Sequence, residues 1–429
     1  MYFGVEFSLC PWTIHLGPRS DQGGRTVVVI TLLVLATLIG LSVVLYSSRV
    51  QNSERYQAMV LPLGDIMDIG FVAMTPIIVG ITGIDSPLTM AGLCTLGYAT
   101  GWVMRYNIRY FEPVSTEKGI LRNLSNTSQG ALIVASVVNV AYYLQLMGGV
   151  VIFIVVAPFN FDGGALSGSG IAVAVLVALG LIGFLRGLDK FNELSERTTA
   201  FNLAAVSAII IGFAAYNLQV AVAGNWVLPD YNPPLTTQGA RQILGFFALV
   251  QGFEASRYIG REYSAERRIR TMRDAQIVAT VAFVLFPAAA LLLFAQVRPN
   301  LGPTAVVQIG AVASPVLPLL ILALAIGSQA SAAITTISSR SDVLLDLSNE
   351  AIPRRLTFPI LAAGAIAVVL VTDVLTAVAT ASRVFAVFFT LQCLIALILA
   401  SRHEHWKQAV GIILVGLAMV VIAIFGLST

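Results

Sequence analysis

A polar stretch inside an apolar segment is the first place in this sequence where chemistry can be done. Residues Phe246–Glu254 read Phe-Phe-Ala-Leu-Val-Gln-Gly-Phe-Glu, and an arginine-dense loop, Arg257–Arg273, follows at once. Unpaired polar side chains are costly in hydrocarbon, and a glycine loosens a helix and frees its backbone groups. Freed backbone at membrane depth is tolerated where it lines a cavity. The stretch therefore predicts a solute site on an interrupted helix, with Phe247 as an aromatic lid and Gln251 and Gly252 as contacts.

A second apolar segment, Leu61–Gly83, is interrupted in a similar way. It contains Asp65, Asp68, Gly70, Thr75, Pro76 and Gly80. We predict that Ala73, Met74 and Thr75 are unwound and offer backbone groups to a solute and an ion, because a half-helix N-terminus favours a carboxylate. The plainer alternative is a simple kink, since glycine and proline are common in membrane helices.

Several charged residues near these segments are candidates for gating or proton coupling. Asp65 and Asp68 lie near one end of their segment, where they either pair with an arginine as an inner gate or simply reach water. Glu254 is a second candidate, with the same interfacial alternative. Arg383 lies about seven residues into its apolar span, and Glu254, Asp373 or an anionic solute are its candidate partners.

Hydroxyl groups in two other apolar segments complete the set of candidates. Tyr142 and Tyr143 stand mid-span, where one hydroxyl needs a partner and is a candidate solute contact; packing is the alternative. The run from Ala332 to Thr335 and Thr336 places two hydroxyls one turn beyond a carbonyl, and such oxygens suit a hard cation. We predict a Na+ site formed by Ala332, Thr335 and Thr336 with backbone carbonyls near Gly70 and Ala73. The alternative is that these hydroxyls bond only to the preceding turn of their own helix.

Composition places these candidates in a membrane. The chain has 429 residues, of which 57% are hydrophobic and only 11% charged, whereas soluble proteins carry roughly 25% charged residues. A net charge of +3 gives no sign of nucleic-acid binding. Three scattered cysteines and three histidines outside the apolar spans argue against a disulfide framework, a metal centre or a haem, and we expect no cofactor.

Apolar runs of about 20 residues predict about twelve transmembrane helices in an all-α polytopic protein. The predicted spans are Val27–Tyr46, Leu61–Gly83, Leu88–Met104, Gly130–Val156, Gly170–Leu185, Thr198–Asn217, Gln242–Tyr258, Ile277–Val297, Val316–Leu347, Phe358–Thr372, Thr376–Ala400 and Gln408–Leu427. Most of the 25 lysines and arginines fall in alternate loops, which the positive-inside rule assigns to the cytoplasm, and both termini then face outside. The loop Arg257–Arg273 is interpreted as part of this topology signal, with salt bridges to Glu262 and Glu266, and Arg340 is counted with the same loops.

The spacing of the two interrupted helices predicts an inverted repeat. With Val27–Tyr46 set aside as an anchor, they become the first and sixth core helices, and five crossings per half require opposite orientations. The predicted organisation is a tail (1–26), an anchor helix (27–48), a first half (59–225), a second half (239–400) and a C-terminal helix (401–429).

Three segments resemble the amino acid–polyamine–organocation (APC) superfamily, whose members share the leucine-transporter-type fold. Phe247–Glu254, followed by Glu262 and Arg267-Arg268, resembles the sixth-helix pattern of the family. Ser339-Arg340 with Ile352-Pro353 resembles the run after its eighth helix, and Ile69-Gly70 with Pro76 is a looser match to its first helix. The first-helix glycine pair is imperfect, and an additional N-terminal anchor is more typical of sodium/solute symporters.

The resemblance implies a secondary active transporter that moves an amino acid or a related small organic solute by alternating access. In the resembled fold, small hydroxyl residues of the eighth helix help to form a sodium site. The lysine that proton-coupled relatives often carry in the fifth core helix is absent from Thr198–Asn217, so Na+ is the expected coupling ion and H+ the alternative. The expected partners are a small solute and the lipid bilayer, in a bacterial inner membrane. A sensor on a transporter fold is the second interpretation; a membrane enzyme is the third, and no catalytic motif supports it.

Overall fold

The computed structural model describes residues 21–115, 119–156, 167–188, 192–260, 262–295 and 301–428, with backbone only for 21–25 and 192–196. Within these ranges all regular elements are helical. The α-helices are α1 (Asp21–Leu45), α2 (Ser48–Gln51), α3 (Glu54–Ile66), α4 (Gly70–Thr82), α5 (Ser86–Tyr110), α6 (Ile120–Val151), α7 (Gly168–Arg186), α8 (Asn192–Val222), α9 (Thr237–Leu244), α10 (Ala265–Phe294), α11 (Ala305–Ala313), α12 (Leu317–Leu347), α13 (Arg354–Val371), α14 (Val374–Arg402) and α15 (Trp406–Phe425). Short 3₁₀ turns cover Gly83–Asp85, Glu112–Val114, Phe247–Val250 and Phe253–Arg257, and α6 continues as a π-helical turn to Val156.

The all-α polytopic fold is confirmed. Ten helical stretches in the described ranges are long and apolar enough to cross a membrane, and one of them, Gly70–Tyr110, joins α4 to α5. The first core helix (α3 and α4) and the sixth (α9 with the turns to Arg257) are broken into pieces too short to be counted alone. When each broken helix is counted as one membrane crossing, the number of crossings is close to the predicted twelve.

Several helices extend beyond the apolar runs that predict them. The α3 helix begins at Glu54 rather than Leu61, and α8 begins at Asn192 rather than Thr198. Hydropathy detects only the part of a helix that lies in hydrocarbon, whereas polar ends continue the helix into the interface. The predicted tail, 1–26, lies outside the described residues up to residue 20, and its last residues belong to α1. The short helix α11 is absent from the prediction.

Apolar packing centres on the broken helices. One cluster joins them to α10, α8 and α14 and includes the inner faces of α6 and α12. A second cluster packs the outer faces of α6 and α12 against α7 and α13. The α1 helix lies along α8, contributes only Ile30 and Val34 to the first cluster and is the least buried of the ten apolar stretches, which fits the predicted anchor.

Candidate functional site

The break in the first core helix falls at Met67–Ile69, not at the predicted Ala73–Thr75. Ala73, Met74 and Thr75 are regular, fully buried residues of α4, so the prediction that they are unwound is wrong. The helix ends at Ile66, and Asp68 starts the next one because its Oδ1 accepts the N–H of Gly70 at 2.5 Å. An aspartate side chain that bonds to nearby backbone favours a helix start over a helix interior. Pro76 removes only one hydrogen bond, and α4 continues through it.

The break in the sixth core helix lies where the sequence predicts it. The α9 helix ends at Leu244, Gln251 is fully extended, and Gly252 has a left-handed φ of +113°. Ser382 of α14 holds the opened backbone: its Oγ donates to the Gly245 carbonyl and accepts the Ala248 N–H, both at 2.7 Å. The predicted interruption over 250–252 is therefore confirmed.

The two breaks meet each other. A methyl group at Gly252 would lie only 2.7 Å from the carbonyl carbon of Asp65, so the backbones are in direct contact there. Gly252 is required twice, for its positive φ and for this close approach. On the other side of the first break, Ser328 of α12 accepts the N–H of Ile69 at 3.3 Å. The two breaks and α12 thus converge on one region of the protein interior.

Buried polar groups surround this point. Tyr142 and Tyr143 of α6 are 1% and 3% exposed, Gln251 is 3% exposed and Gln329 of α12 is completely buried. Within the described residues, the Tyr142 hydroxyl, the Gln251 Oε1 and both polar atoms of the Gln329 amide have no hydrogen-bond partner. Buried polar groups are normally satisfied in native proteins, so orphaned ones beside a helix break are candidates for ligand contacts.

A buried ion pair lies on the arginine-rich side of the breaks. Glu254 accepts the N–H of Gly252 at 2.9 Å and faces Arg340 Nη2 at 3.8 Å. Arg340 also donates from Nε to the Ser136 hydroxyl of α6 at 2.8 Å and lies over the Tyr258 ring. The sequence interpretation placed Arg340 among loop charges; it is instead a buried residue of α12. This pair connects the sixth core helix to α6 and α12.

Phe247 is fully buried against α14. Its ring meets Phe389 edge-on at 5.9 Å, and Phe389 in turn stacks on Phe253 at 5.4 Å. Phe247 lies in the turn just after Leu244, on the far side of Gln251 from Glu254. The position fits the predicted aromatic lid, and the role itself remains a prediction.

The hydroxyls of the predicted Na+ site point in two directions. Thr335 donates to Ser331 and Ala332 of its own helix at 2.9 and 3.2 Å, whereas Thr336 lines a small cleft with Ser136 and Arg340. Ala332 belongs to the cluster of the broken helices. Gly70 and Ala73 belong to α4, where the Gly70 Cα packs against the Tyr142 hydroxyl. The grouping of these five residues into one Na+ site stays a prediction.

Arg383 is exposed and pairs with neither proposed carboxylate. Its Nε donates to the Ala423 carbonyl at 3.0 Å and so caps the end of α15. The α14 and α15 helices form a hairpin, which brings the start of one to the end of the other. In this structure Arg383 therefore caps a helix, and its role toward an anionic solute stays a prediction.

The arginine loop forms more specific contacts than a topology signal requires. Arg270 pairs with Glu266, as predicted, but Arg268 is buried and forms a 2.6 Å salt bridge with Glu112. Arg257 donates to Gln392 of α14 at 2.6 Å. These contacts tie the turn after Gly252 to its neighbours on the arginine-rich side.

Sequence reasoning missed Ser328, Gln329 and Ser382. Gln329 could have been predicted from the sequence. A glutamine in the middle of an apolar span costs as much free energy to place in hydrocarbon as Gln251, which is predicted on that ground. The two serines carried none, because serines are frequent in membrane helices and usually bond within their own helix.

Comparison with known proteins decides the family. A sequence model described as an APC superfamily transporter matches residues 48–426. The chain belongs to the APC superfamily. It is a multi-pass membrane protein of a transporter family. It is also 26% identical over 389 residues to an uncharacterized protein of Aquifex aeolicus (strain VF5), covering 89% of this chain and 93% of that protein.

Two solved structures resemble the fold of this APC superfamily member. A mutant of the manganese transporter of Eremococcus coleocola has a TM-score of 0.56 and 13% sequence identity, covering 85% of each chain. A Na+-coupled sialic acid symporter, solved in a substrate-bound outward-open state, has a TM-score of 0.44 and 12% identity, covering 94% of this chain and 98% of that one. The first likeness supports the shared fold.

Proposed function

We propose that this APC superfamily member is a cation-coupled secondary active transporter of an amino acid or a related small organic solute. The observation that carries the proposal is the meeting of two helix breaks beside buried polar atoms. Gly252 touches Asp65, and the Tyr142 hydroxyl, the Gln251 Oε1 and the Gln329 amide near this contact have no hydrogen-bond partner among the described residues. Broken helices that meet at mid-membrane are the arrangement in which secondary transporters bind their solutes.

We propose that transport moves the broken helices against α6 and α12. These two helices contact the broken helices on one face and pack against α7 and α13 on the other. The buried Glu254–Arg340 pair joins the sixth core helix to α12 on the arginine-rich side. Rocking of one bundle against another around a fixed site is the usual form of alternating access, and opening toward the arginine-rich side would separate this pair.

We further propose that the coupling cation is Na+, with H+ as the alternative. Oxygen ligands for Na+ are available from Thr335 and from the opened first core helix, and titratable groups for H+ are Asp65, Asp68 and Glu254. Binding of either ion would offset the excess negative charge of the carboxylates around the two breaks.

Uptake into proteoliposomes tests the proposal. The purified chain is reconstituted and supplied with radiolabelled amino acids, polyamines and organic cations, under inward Na+ or H+ gradients and without nucleotide. Gradient-driven accumulation of one solute, absent from empty liposomes, is expected. Tight solute binding without accumulation would contradict transport and support a sensor.

A further inference from the structure

Arg105 is a buried cation with neutral hydrogen-bond partners. It lies on α5, is 7% exposed, and donates from Nη1 to the Oε1 of Gln276 on α10 at 2.5 Å. Its Nη2 donates to the Tyr98 carbonyl at 3.5 Å, and its guanidinium lies 4.8 Å from the centre of the Tyr98 ring. Among the described residues Arg105 forms no ion pair, and the charged residue that faces it, Arg273, is another cation. A buried charge is costly until an opposite charge approaches it.

The hydrogen bonds of Arg105 explain its position but not its charge. Gln276 also donates from Nε2 to the Gly97 carbonyl at 2.9 Å, and its amide lies directly against the Cα of Gly101. These contacts fasten α10 to α5, and a neutral donor at position 105 would be sufficient for them. A guanidinium stays charged and suits the binding of a phosphate or a carboxylate, so its presence here indicates an anionic partner.

Arg105 lies at the depth of the lipid head groups. The predicted apolar span of α5 ends at Met104, and that of α10 begins at Ile277. Arg105 and Gln276 therefore mark the end of the hydrocarbon region on the arginine-rich side. Tyr98 is 38% exposed, and Ile277 is also exposed, so both helices present apolar surface to the bilayer close to the buried guanidinium.

The surroundings of Arg105 carry further positive charge. Arg273 lies 3.5 Å from Asp274, but that aspartate forms a shorter pair, of 2.6 Å, with Arg55. Arg109 is exposed one turn beyond Arg105 on the same face of α5. Among the described residues neither Arg105 nor Arg109 has an acidic partner. This end of the contact between α5 and α10 therefore favours an anion.

We propose that Arg105 and Gln276 form a binding site for the phosphate group of an anionic phospholipid in the leaflet on the arginine-rich side. The guanidinium would pair with a phosphate oxygen, and the exposed Tyr98 ring that covers it would turn aside into the interface. A lipid fits better than a soluble anion because the guanidinium lies at head-group depth beside exposed apolar side chains. The cleft that Tyr98 and Gln276 line extends to Ile66 and Val250, next to both helix breaks. The site does not depend on the transport function proposed above.

Native mass spectrometry of the delipidated full-length protein tests the site. Phosphatidylglycerol and phosphatidylcholine are titrated in a neutral detergent, and the dissociation constant of the first bound lipid is measured. The wild type should bind phosphatidylglycerol about fivefold or more tightly than phosphatidylcholine. Arg105→Gln should weaken the binding of phosphatidylglycerol by about tenfold and abolish this preference, because the charge that holds the phosphate is removed.

A second variant supplies the missing negative charge from within the protein. Gln276→Glu places a carboxylate beside Arg105, and this internal partner should remove the preference for phosphatidylglycerol while the guanidinium is retained. If Arg105→Gln fails to fold, Gln276→Glu decides in its place. The matched control is Arg186→Gln, which removes an exposed arginine at the end of α7 on the same side of the membrane. Its affinity for phosphatidylglycerol should stay within about twofold of the wild type.

Three outcomes would overturn the proposal. If the wild type shows no preference for phosphatidylglycerol, or if both Arg105→Gln and Gln276→Glu keep it, the site does not exist. If Arg186→Gln loses affinity as much as Arg105→Gln does, binding follows total charge rather than this site. If inorganic phosphate at the same concentration displaces phosphatidylglycerol, the site binds soluble anions and the lipid assignment is wrong.

Discussion

Arg340 connects three parts of the protein through three different interactions. It pairs with Glu254 of the sixth core helix, donates to Ser136 of α6 and lies over the ring of Tyr258. Arginine suits this position because its planar guanidinium offers several donors and stacks on aromatic rings while it stays charged. Through these contacts Arg340 links the sixth core helix to α6 and α12.

Replacing Arg340 by glutamine should reduce both stability and uptake. Removing one partner of a buried pair leaves the other charge uncompensated and typically costs about 3–5 kcal/mol. The double variant Glu254→Gln/Arg340→Gln should regain part of the lost melting temperature, because neither charge is then left alone. Melting is measured in detergent and uptake in proteoliposomes.

The matched control for this pair is Arg270→Gln, which breaks an exposed salt bridge with Glu266. Exposed pairs contribute about 0–1 kcal/mol, so this variant should melt within a few degrees of the wild type. Equal effects of the buried and the exposed substitution would contradict a stabilising role of the Glu254–Arg340 pair.

Adding one methyl group at Gly252 tests the contact between the two breaks directly. An alanine there would require a strained φ of +113° and would press its methyl group into the Asp65 backbone. We expect Gly252→Ala to lower solute uptake by about tenfold or more, equivalent to about 1.4 kcal/mol, while membrane insertion is retained. Gly92→Ala, on an exposed surface of α5 with open space around it, should transport normally. Normal uptake by Gly252→Ala would show that the breaks separate more easily than this packing allows.

At the level of whole elements, the two broken helices are interrupted for different physical reasons. The sixth core helix is opened by a glycine in the left-handed region and by a serine from α14 that satisfies the freed backbone. The first core helix is opened by Asp68, which starts α4, while Pro76 lies within a continuous helix. A proline inside a membrane helix therefore does not locate a break by itself.

Pro76→Ala tests this distinction. Because α4 continues through residue 76, alanine restores a backbone donor and removes a residue that costs about 3 kcal/mol in an average helix interior. The melting temperature should stay equal or rise, and uptake should stay within about threefold of the wild type, or about 0.65 kcal/mol. Loss of uptake as large as that of Gly252→Ala would instead make the proline kink part of the solute site.

The sequence predicts the elements better than it predicts their contacts. Hydropathy and loop charge predict the membrane crossings, and the pair Gln251-Gly252 predicts one helix break. Both predictions succeed because they depend on the free-energy cost of placing polar groups in hydrocarbon, which a short stretch of sequence reveals. The prediction misplaces the first break because it takes glycine and proline as the mark of unwinding and overlooks that Asp68 can start a new helix. The Glu254–Arg340 pair joins residues 86 positions apart; such a tertiary contact leaves no local pattern, and Arg340 alone resembles a loop charge.

At the scale of the whole molecule, alternating access requires an ion and a solute to stabilise the same state. In the proposed mechanism the broken helices move against α6 and α12, and the carboxylates Asp65, Asp68 and Glu254 near the two breaks give a reason for cation binding. By linkage, a cation that raises solute affinity must have its own affinity raised equally by the solute. Coupling can therefore be measured from either ligand.

Alanine variants of the adjacent residues Thr335 and Thr336 can be compared to test whether the coupling ion is Na+. Thr335 follows Ser328 and Ala332 at helical spacing and shares their face, which meets the first core helix, whereas Thr336 opens toward Ser136. If Na+ binds between α12 and the opened first core helix, replacing Na+ by choline at fixed pH should weaken solute binding in the wild type. Thr335→Ala should lose that dependence, and Thr336→Ala should keep it. Solute affinity that ignores Na+ but follows pH in all three proteins would assign coupling to the proton, and the carboxylates at the two breaks would then carry it.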